Sequence, residues 1–276
     1  MKKLYIFFIT IICISINLSA QTYEELVTRS MDYIDQEDYV SAEQFIKAAI
    51  RKDQGNPNNI MLMVNLGTVQ RYLGKQEEAL ISYNIGLEKY PDAALIRHNR
   101  ANLYCEMNRF DDALKDYNTL ILNNPDDIEA IYSRGLIYLS EKNLLAAEED
   151  FEKVIKTKPE SLRAKMGMAQ ITKRRGEWKE AEEVYTDLIY KYRKTPIADL
   201  HFNRAECYLQ LNKLARAEED IKKAMELGYT ESPIYILRGQ LRIAQYEKRL
   251  AKEDFLKAQE LGADENVIKD FLKICK

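Results

Sequence analysis

Residues 128–161 carry the sequence IEAIYSRGLIYLSEKNLLAAEEDFEKVIKTKPES, and the spacing within it determines the fold class. Each half places apolar or small residues about one helical turn apart. These residues are Ile131, Gly135 and Tyr138 in the first half, and Ala147, Phe151, Val154 and Ile155 in the second. Pro159 follows, where it would end a helix. The stretch therefore predicts a helical hairpin with small residues where its two helices cross.

The same pattern recurs along the chain with a period near 34 residues. An alanine opens each second helix, at Ala42, Ala79, Ala113, Ala147, Ala181, Ala217 and Ala251, with spacings of 37, 34, 34, 34, 36 and 34. A small residue occupies the matching position of each first helix: Ser30, Gly67, Ala101, Gly135, Ala169, Ala205 and Gly239. Two helices cross closely only where neither carries a large side chain. The chain is therefore predicted to be an array of hairpins.

These positions resemble the tetratricopeptide repeat (TPR), which has Leu-Gly, Tyr, Ala, an aromatic residue and Pro at set places. The residues that match most closely are Leu66, Gly67, Ala79, Tyr83 and Pro91. The resemblance implies an all-α fold, a right-handed α-solenoid of about seven TPR hairpins covering residues 23–265. The expected repeats are residues 23–56, 60–93, 94–127, 128–161, 162–195, 198–231 and 232–265.

A short final helix is expected over residues 266–276. Its apolar residues, which fall on one face, are Val267, Ile268, Phe271, Leu272 and Cys275. The last repeat of a solenoid leaves an apolar face uncovered, so we expect this helix to cap the array.

The first twenty residues differ from the rest of the chain. Two lysines precede a mostly apolar run from residue 4 to residue 16, and Ser19 and Ala20 follow it. This order is typical of a cleaved secretory signal, and the run is shorter than the roughly 20 residues needed to cross a bilayer. A membrane anchor is the alternative. We expect residues 1–20 to be removed, leaving an exported protein, periplasmic or secreted, with no stable membrane insertion.

The composition is that of a globular helical protein, with 46% hydrophobic and 31% charged residues among 276. Removal of the two signal lysines changes the formal net charge from −3 to −5, which argues against general nucleic-acid binding. The three cysteines that remain, Cys105, Cys207 and Cys275, have a wide and irregular spacing that is not typical of a disulfide framework.

No constellation of residues for catalysis is found in the sequence. Hydrolysis or group transfer needs a nucleophile, a base and an orienting group held together, but His98 and His201 lie three repeats apart. The sequence also lacks a Gly-rich phosphate loop, a zinc-ligand spacing and a Ser-centred elbow. We therefore predict no enzyme activity, no metal site and no cofactor.

A second face of the first helices is predicted to bind a partner. Counted from the first residue of each repeat, places 2, 5, 6, 9, 12 and 13 lie away from the core, and the resemblance implies that they line a concave groove. Places 5 and 9 lack the basic residues of the family's carboxylate-clamp members, so such a clamp is not expected. Place 6 carries Asn65, Asn99 and Asn203, whose amides can donate to and accept from a peptide backbone.

Two interpretations of these asparagines stay open, since they either hold a peptide or satisfy neighbouring groups of their own helices. The fifth repeat adds basic residues on the same face, which would attract an acidic segment of a ligand. Such a run of charges is otherwise a solvated helix face. The candidate peptide-binding residues are Asn65, His98, Asn99, Asn102, Tyr132, Arg163, Lys173, Arg174 and Asn203.

We therefore expect a non-catalytic scaffold of the bacterial cell envelope that binds a protein or peptide segment in its groove. The bacterial assignment rests on the short signal with its two lysines. The alternative is a structural subunit of an envelope complex that uses its convex or terminal surfaces. The sequence predicts neither the identity of the partner nor the oligomeric state.

Overall fold

The computed structural model describes residues 20–275, and fifteen α-helices follow one another in this range without a strand. The helices are α1 (Tyr23–Asp35), α2 (Tyr39–Lys52), α3 (Asn59–Tyr72), α4 (Gln76–Lys89), α5 (Ala94–Glu106), α6 (Phe110–Asn123), α7 (Ile128–Ser140), α8 (Leu144–Thr157), α9 (Leu162–Arg174), α10 (Trp178–Lys191), α11 (Ala198–Gln210), α12 (Leu214–Glu226), α13 (Ser232–Ala244), α14 (Lys248–Glu260) and α15 (Glu265–Ile274). The predicted all-α class is confirmed. The predicted signal, apart from Ala20, lies outside the described residues.

The described residues form two compact units, which divide within α7 between Ile137 and Tyr138. In the first unit, α1 pairs with α2, α3 with α4 and α5 with α6. In the second unit, α9 pairs with α10, α11 with α12 and α13 with α14. Each unit is therefore a series of antiparallel hairpins joined by short loops.

Small residues lie where the helices of a hairpin cross. A β-carbon added to Gly67 would lie 2.2 Å from Cε1 of Tyr83, and one added to Gly239 would lie 2.5 Å from Cε1 of Phe255. Both distances are far below van der Waals contact, so the two rings can pack only against glycine. Tyr83 and Phe255 are fully buried as a result.

The ends of the helices follow signals in the sequence. Thr22 and Glu25 form a capping box at the start of α1, in which each side chain accepts from the other residue's backbone N–H. Pro91, Pro125 and Pro159 each stand two residues after the last residue of a second helix. After α12 and α14, Gly228 and Gly262 take positive φ angles of 94° and 86°, which glycine adopts without strain.

The hairpin turns share one backbone feature at place 15 of the repeat. The residue there has a positive φ in all seven turns, and these residues are Glu37, Gly74, Asn108, Lys142, Gly176, Asn212 and Tyr246. Glycine and asparagine favour this left-handed conformation, but the other residues do not. The packing of the two helices therefore determines the turn, even where the local sequence opposes it.

The final helix, α15, packs against α14 in the second unit. Phe271 stacks on Phe255 with ring centroids 4.7 Å apart, and Ile268 is only 1% exposed. Val267, which the sequence places on the same apolar face, remains 46% exposed. The described part of α15 thus covers apolar surface that α14 would otherwise expose to water.

Candidate functional site

In the first unit, two candidate asparagines are already hydrogen-bonded within the protein. Nδ2 of Asn99 donates to the backbone carbonyl of Leu95, 2.8 Å away and one turn earlier in α5. Nδ2 of Asn65 lies 3.4 Å from the sulfur of Met31, which belongs to α1. Asn99 therefore satisfies its own helix, which is the second of the two interpretations of these asparagines, while Asn65 links two first helices.

Asn102 lies on the exposed side of α5 and is held by the core beneath it. The hydroxyl of Tyr117, a core residue of α6, donates to Oδ1 of Asn102 at 2.6 Å. Burial raises the pKa of Tyr117, so its hydroxyl keeps its proton and remains a donor. This bond orients the Asn102 amide with its Nδ2 donors directed away from Tyr117, where a ligand can accept from them.

His98 and Tyr132 are two further candidates of the first unit. Nε2 of His98 is 2.7 Å from Oδ2 of Asp127, and Oδ1 of Asp127 accepts the backbone N–H of Ala130 in the first turn of α7. His98 therefore ties α5 to the start of α7 rather than extending freely from the surface. Tyr132 is half-buried on α7.

Exposed apolar side chains accompany these polar groups on the first-helix face of the first unit. Met31, Met61, Leu95 and Leu136 stand at places 9, 2, 2 and 9 and are 43%, 52%, 44% and 40% exposed. Water-exposed apolar groups that recur from one helix to the next are typical of an interaction surface, and methionine adapts to varied partners. We call these four residues the apolar row.

A small pocket of about 260 Å³ lies on the same face and is lined by Thr68, Arg71, Tyr72 and Glu106. Nε of Arg71 donates to Oε2 of Glu106 at 3.1 Å, and Nη2 of Arg71 pairs with the other carboxylate oxygen. This pair joins α3 to α5. Tyr72 is 67% exposed at the pocket's edge, so its ring is accessible to a partner.

In the second unit, Lys173 and Asn203 come together, but they are buried. Lys173 is 6% exposed, and its Nζ donates to Oδ1 of Asn203 at 2.9 Å and forms an ion pair with Glu206. Gln170 donates to the same Oδ1 at 2.6 Å, and Nδ2 of Asn203 donates to the carbonyl of Asp199 at 2.7 Å. This placement does not support the predicted role of Lys173 in attracting an acidic segment, because its charge is already neutralised inside the protein.

The other two basic candidates of the second unit are exposed on α9. Arg163 is exposed near the start of the helix, and Arg174 is exposed at its end, where Nη1 donates to the backbone carbonyl of Leu139 at 2.7 Å. These two arginines are accessible to an acidic ligand, in contrast to Lys173.

The structure also reveals buried ion pairs that the sequence analysis missed. An arginine at place 7 of the first helix binds an aspartate at place 23 of the second, sixteen residues later. The pairs are Arg100 with Asp116, Arg204 with Asp220 and Arg238 with Asp254, each with a shortest N–O distance of 2.6 Å. The aspartates are 2–4% exposed. The recurrent spacing of sixteen was a signal in the sequence, but the two residues lie on different helices and no single-helix pattern joins them.

The two histidines of the chain occupy separate sites, each beside an aspartate. Nδ1 of His201 lies 2.8 Å from Oδ1 of Asp220, which also accepts from Arg204.

Within residues 20–275, no group of three or more His, Cys, Asp or Glu is placed to hold a metal ion. In the same range, no helix combines the length and the apolar character that crossing a membrane requires.

Comparison with known proteins identifies the family. The tetratricopeptide repeat description matches residues 98–161 and 166–228. A tetratricopeptide repeat protein from Parabacteroides merdae ATCC 43184 is 43% identical, covers 92% of this chain and 98% of its own, and superposes with a TM-score of 0.79. The chain belongs to the tetratricopeptide repeat family. TPR proteins generally act as non-catalytic scaffolds for protein–protein interaction, and these matches indicate no enzyme family.

Other relatives share only a part of this TPR protein or only its fold. RNA polymerase II-associated protein 3 of Rattus norvegicus is 34% identical over 91 residues, which are 33% of this chain. The match spans only 14% of the length of that curated relative. PilW, a widely conserved type IV pilus biogenesis factor, is 18% identical over 81% of this chain and 98% of its own, with a TM-score of 0.64. At this identity the likeness to PilW shows the fold alone.

Proposed function

We propose that this TPR protein is a non-catalytic scaffold that binds a segment of a partner protein on the first-helix face. The apolar row is the observation that carries the proposal: four exposed apolar side chains recur on successive first helices of the first unit. Water contacts these side chains unfavourably, so a partner that covers them gains the hydrophobic free energy of about 25 cal/mol per Å² buried.

The polar groups beside the apolar row suit an extended peptide. Asn102 presents amide donors that can bind backbone carbonyls of a ligand, while the row accepts apolar side chains. In the second unit, the exposed Arg163 and Arg174 supply the attraction for an acidic segment, a role that the buried Lys173 does not fill. We therefore expect a partner segment with apolar side chains and an acidic stretch.

The test begins with photo-crosslinking in the native host. A crosslinking amino acid at Met61 or Leu95 should capture a partner, whereas one at Glu88, exposed on α4, should not. With the partner in hand, Asn102→Ala with Leu95→Ala should weaken binding at every salt concentration. Arg163→Glu with Arg174→Glu should weaken it mainly at low salt, where charges are less screened. Normal binding by both folded variants would refute the proposed face.

A bacterial envelope location is part of the proposal. The order of charged, apolar and small residues in the first twenty residues supports export, and the 43% identity to a protein of Parabacteroides merdae supports a bacterial origin. Mass spectrometry of the protein from its host should find a mature N-terminus near Gln21 in the periplasmic fraction. An intact Met1 in the cytosol or the membrane would refute export.

The second candidate, a structural subunit that uses its convex surface, is favoured by one observation. Ile81 and Ile85 lie one turn apart on α4 and are 57% and 49% exposed. They stand on a second helix, away from the apolar row. Crosslinking from Ile81 in place of Met61 would favour this candidate over binding at the first-helix face.

A further inference from the structure

The contact between α12 and α13 lacks a polar bridge that joins other neighbouring repeats. At three other contacts, Nη1 of the place-7 arginine donates to the residue at place 25 of the preceding repeat. The pairs are Arg100 to Asn84 at 2.8 Å, Arg134 to Asn118 at 2.7 Å and Arg204 to Thr186 at 3.2 Å. In the seventh repeat the arginine is Arg238, and the preceding place 25 is Lys222. A lysine cannot accept, so Nη1 of Arg238 donates to the sulfur of Met225 at 3.2 Å, a weak acceptor.

A second bridge is also lost at this contact. At two other contacts, a glutamate at place 21 binds a lysine at place 16 of the next repeat: Glu43 with Lys75 at 2.8 Å and Glu182 with Lys213 at 3.2 Å. Here the residue at place 21 is Glu218, but place 16 carries the acidic Glu247. Glu218 accepts instead from Nε2 of Gln245 at 3.0 Å. Within residues 20–275, the side chains of Lys222 and Glu247 have no hydrogen-bonding or ionic partner.

A pocket opens where both bridges are missing. Its volume is about 620 Å³, within the range of roughly 300–1,000 Å³ that is common for ligand sites. Its charged lining residues are Glu218, Lys222, Glu226, Arg238, Arg242 and Glu247, and its apolar ones include Ile221, Leu241 and Leu250. Three of the charged groups are engaged elsewhere, since Arg238 and Arg242 both bind Asp254 and Glu226 pairs with Lys223.

Two lining side chains of opposite charge, Lys222 and Glu247, are therefore left without a partner among the described residues. Lys222 stands where Arg238 would need an acceptor, and Glu247 stands where Glu218 would need a lysine. A ligand that brings a carboxylate to Lys222 and a cation to Glu247 supplies both missing partners at once.

We propose that this pocket binds a segment of a partner protein that presents neighbouring acidic and basic side chains. The carboxylate accepts from the free donors of Arg238 and from the Lys222 ammonium. The cationic group lies against Glu218 and Glu247, and its aliphatic stem contacts the apolar wall. Tyr246, which is 92% exposed between two lining residues, offers its ring to the same cation. This site is separate from the first-helix face of the first unit and does not depend on it.

A titration followed by NMR tests the charge requirement. The probe is acetyl-Asp-Lys-amide, and acetyl-Asn-Lys-amide and acetyl-Asp-Gln-amide are controls that each lack one charge. The Asp-Lys probe should shift the Nε–H signal of Arg238 and the side-chain amide of Gln245, with a Kd about fivefold or more below that of either control. High salt should weaken it. Equal affinity of the three probes, or no shift at millimolar concentration, would overturn the proposal.

A variant that restores the two missing bridges tests the location. Lys222→Asn with Glu247→Lys gives this contact the residue types of the other repeats, and we expect it to weaken binding about tenfold or more while raising Tm. The matched control, Lys252→Asn with Glu253→Lys on exposed positions of α14, changes the net charge equally and should bind normally. Unchanged binding by the restored variant would overturn the site. If free glycine bound as tightly as acetyl-Asp-Lys-amide, the ligand would be a free zwitterion and the proposed protein segment would be wrong.

Discussion

At the scale of single residues, the side chain across the hairpin decides what a position tolerates. Gly67 lies against the ring of Tyr83, which is fully buried and has no space to move away. Glu43 shows the same dependence for a charged group. It is 6% exposed, yet it stays ionised because Lys47, Lys75 and Gln70 all donate to it.

Gly67→Ala should destabilise the protein. The added β-carbon meets the Tyr83 ring, and overpacking of this kind costs about 1–3 kcal/mol, while the better helix propensity of alanine returns only about 1 kcal/mol. Urea denaturation should therefore give a lower midpoint than for the parent. Glu88→Ala, at an exposed position of α4, is the control and should leave the midpoint nearly unchanged. A more stable Gly67→Ala variant would contradict the tight crossing.

Glu43→Gln should reveal a pH-dependent contribution to stability. Burial by itself would raise the pKa of Glu43, but the hydrogen bonds from Lys47, Lys75 and Gln70 outweigh it and lower the pKa from 4.5 to about 2. A lowered pKa stabilises the folded state above the unfolded value, and this stability is lost as the pH falls from about 4.5 towards 2.

The parent should exceed Glu43→Gln by about 2 kcal/mol in unfolding free energy at pH 7, and the difference should shrink below pH 4.5. Urea denaturation from pH 7 to pH 3 measures it. Glu88→Gln, which alters an exposed carboxylate, should show no such trend. A difference that stays constant over this range would mean that the charge of Glu43 contributes nothing.

At the scale of helices and hairpins, buried ion pairs and apolar surfaces hold each element to its neighbour. Arg204 binds Asp220 through two N–O contacts of 2.6 and 2.8 Å, which fixes α11 against α12. In the fifth repeat, Met168 and Val184 stand at places 7 and 23, where Arg204 and Asp220 stand in the sixth. That hairpin therefore forms without an ion pair at these places. The pair therefore defines a packing that an apolar pair can replace.

Asp220→Ala should destabilise by about 3–5 kcal/mol, because it leaves the half-buried Arg204 guanidinium without its partner. The double variant Arg204→Met with Asp220→Val introduces the residues of the fifth repeat and should recover part of this loss, since His201 still loses its contact with Asp220. Thermal denaturation of both variants and of Arg204→Met completes the cycle. If the double variant is as unstable as Asp220→Ala, the cost does not come from an unpaired charge.

Ile268→Ala should loosen α15 from α14. Ile268 is 1% exposed, and removing a buried isoleucine side chain to alanine costs about 2–5 kcal/mol. Hydrogen exchange should show reduced protection of α14 and α15. Val267→Ala, at a neighbouring position that is 46% exposed, should have a much smaller effect. Similar exchange in the two variants would mean that α15 does not stabilise the last hairpin.

At the scale of the whole molecule, stability in a repeat protein is approximately a sum of the repeats and their nearest-neighbour contacts. The contact between α12 and α13 lacks the bridges that Arg204 and Lys213 make to the preceding repeat. Each described unit therefore need not be uniformly stable, and the second has a weaker contact near its C-terminal end.

Hydrogen exchange should accordingly be faster in α13 to α15 than in α11 and α12. Lys222→Asn with Glu247→Lys restores the missing bridges, and it should slow exchange in α13 to α15 while leaving α9 unchanged. The reference for both comparisons is the parent protein, measured at the same pH. Identical exchange in α13 to α15 of the two proteins would show that the missing bridges do not weaken this contact.

The sequence by itself determined the all-α repeat class and the positions of the small residues at the crossings. These features depend on helical periodicity and on the size of single side chains, and both can be read from the sequence of one repeat. The candidate face was predicted in the same way. Its apolar row was not among the candidates, although its residues stand at places 2 and 9 of that face, because only the packing decides how far neighbouring helices cover an apolar side chain there.

Only the tertiary structure decided how the polar residues are used. Lys173 faces the ligand side by helical counting, yet it is buried against Glu206, more than thirty residues away in the chain. Asn102 is oriented by Tyr117 of the second helix, and Lys222 meets Arg238 of the next repeat in one pocket. The physical reason is that a polar side chain pairs with whatever donor or acceptor the neighbouring helix places within about 3 Å, and that distance exists only in the packed array.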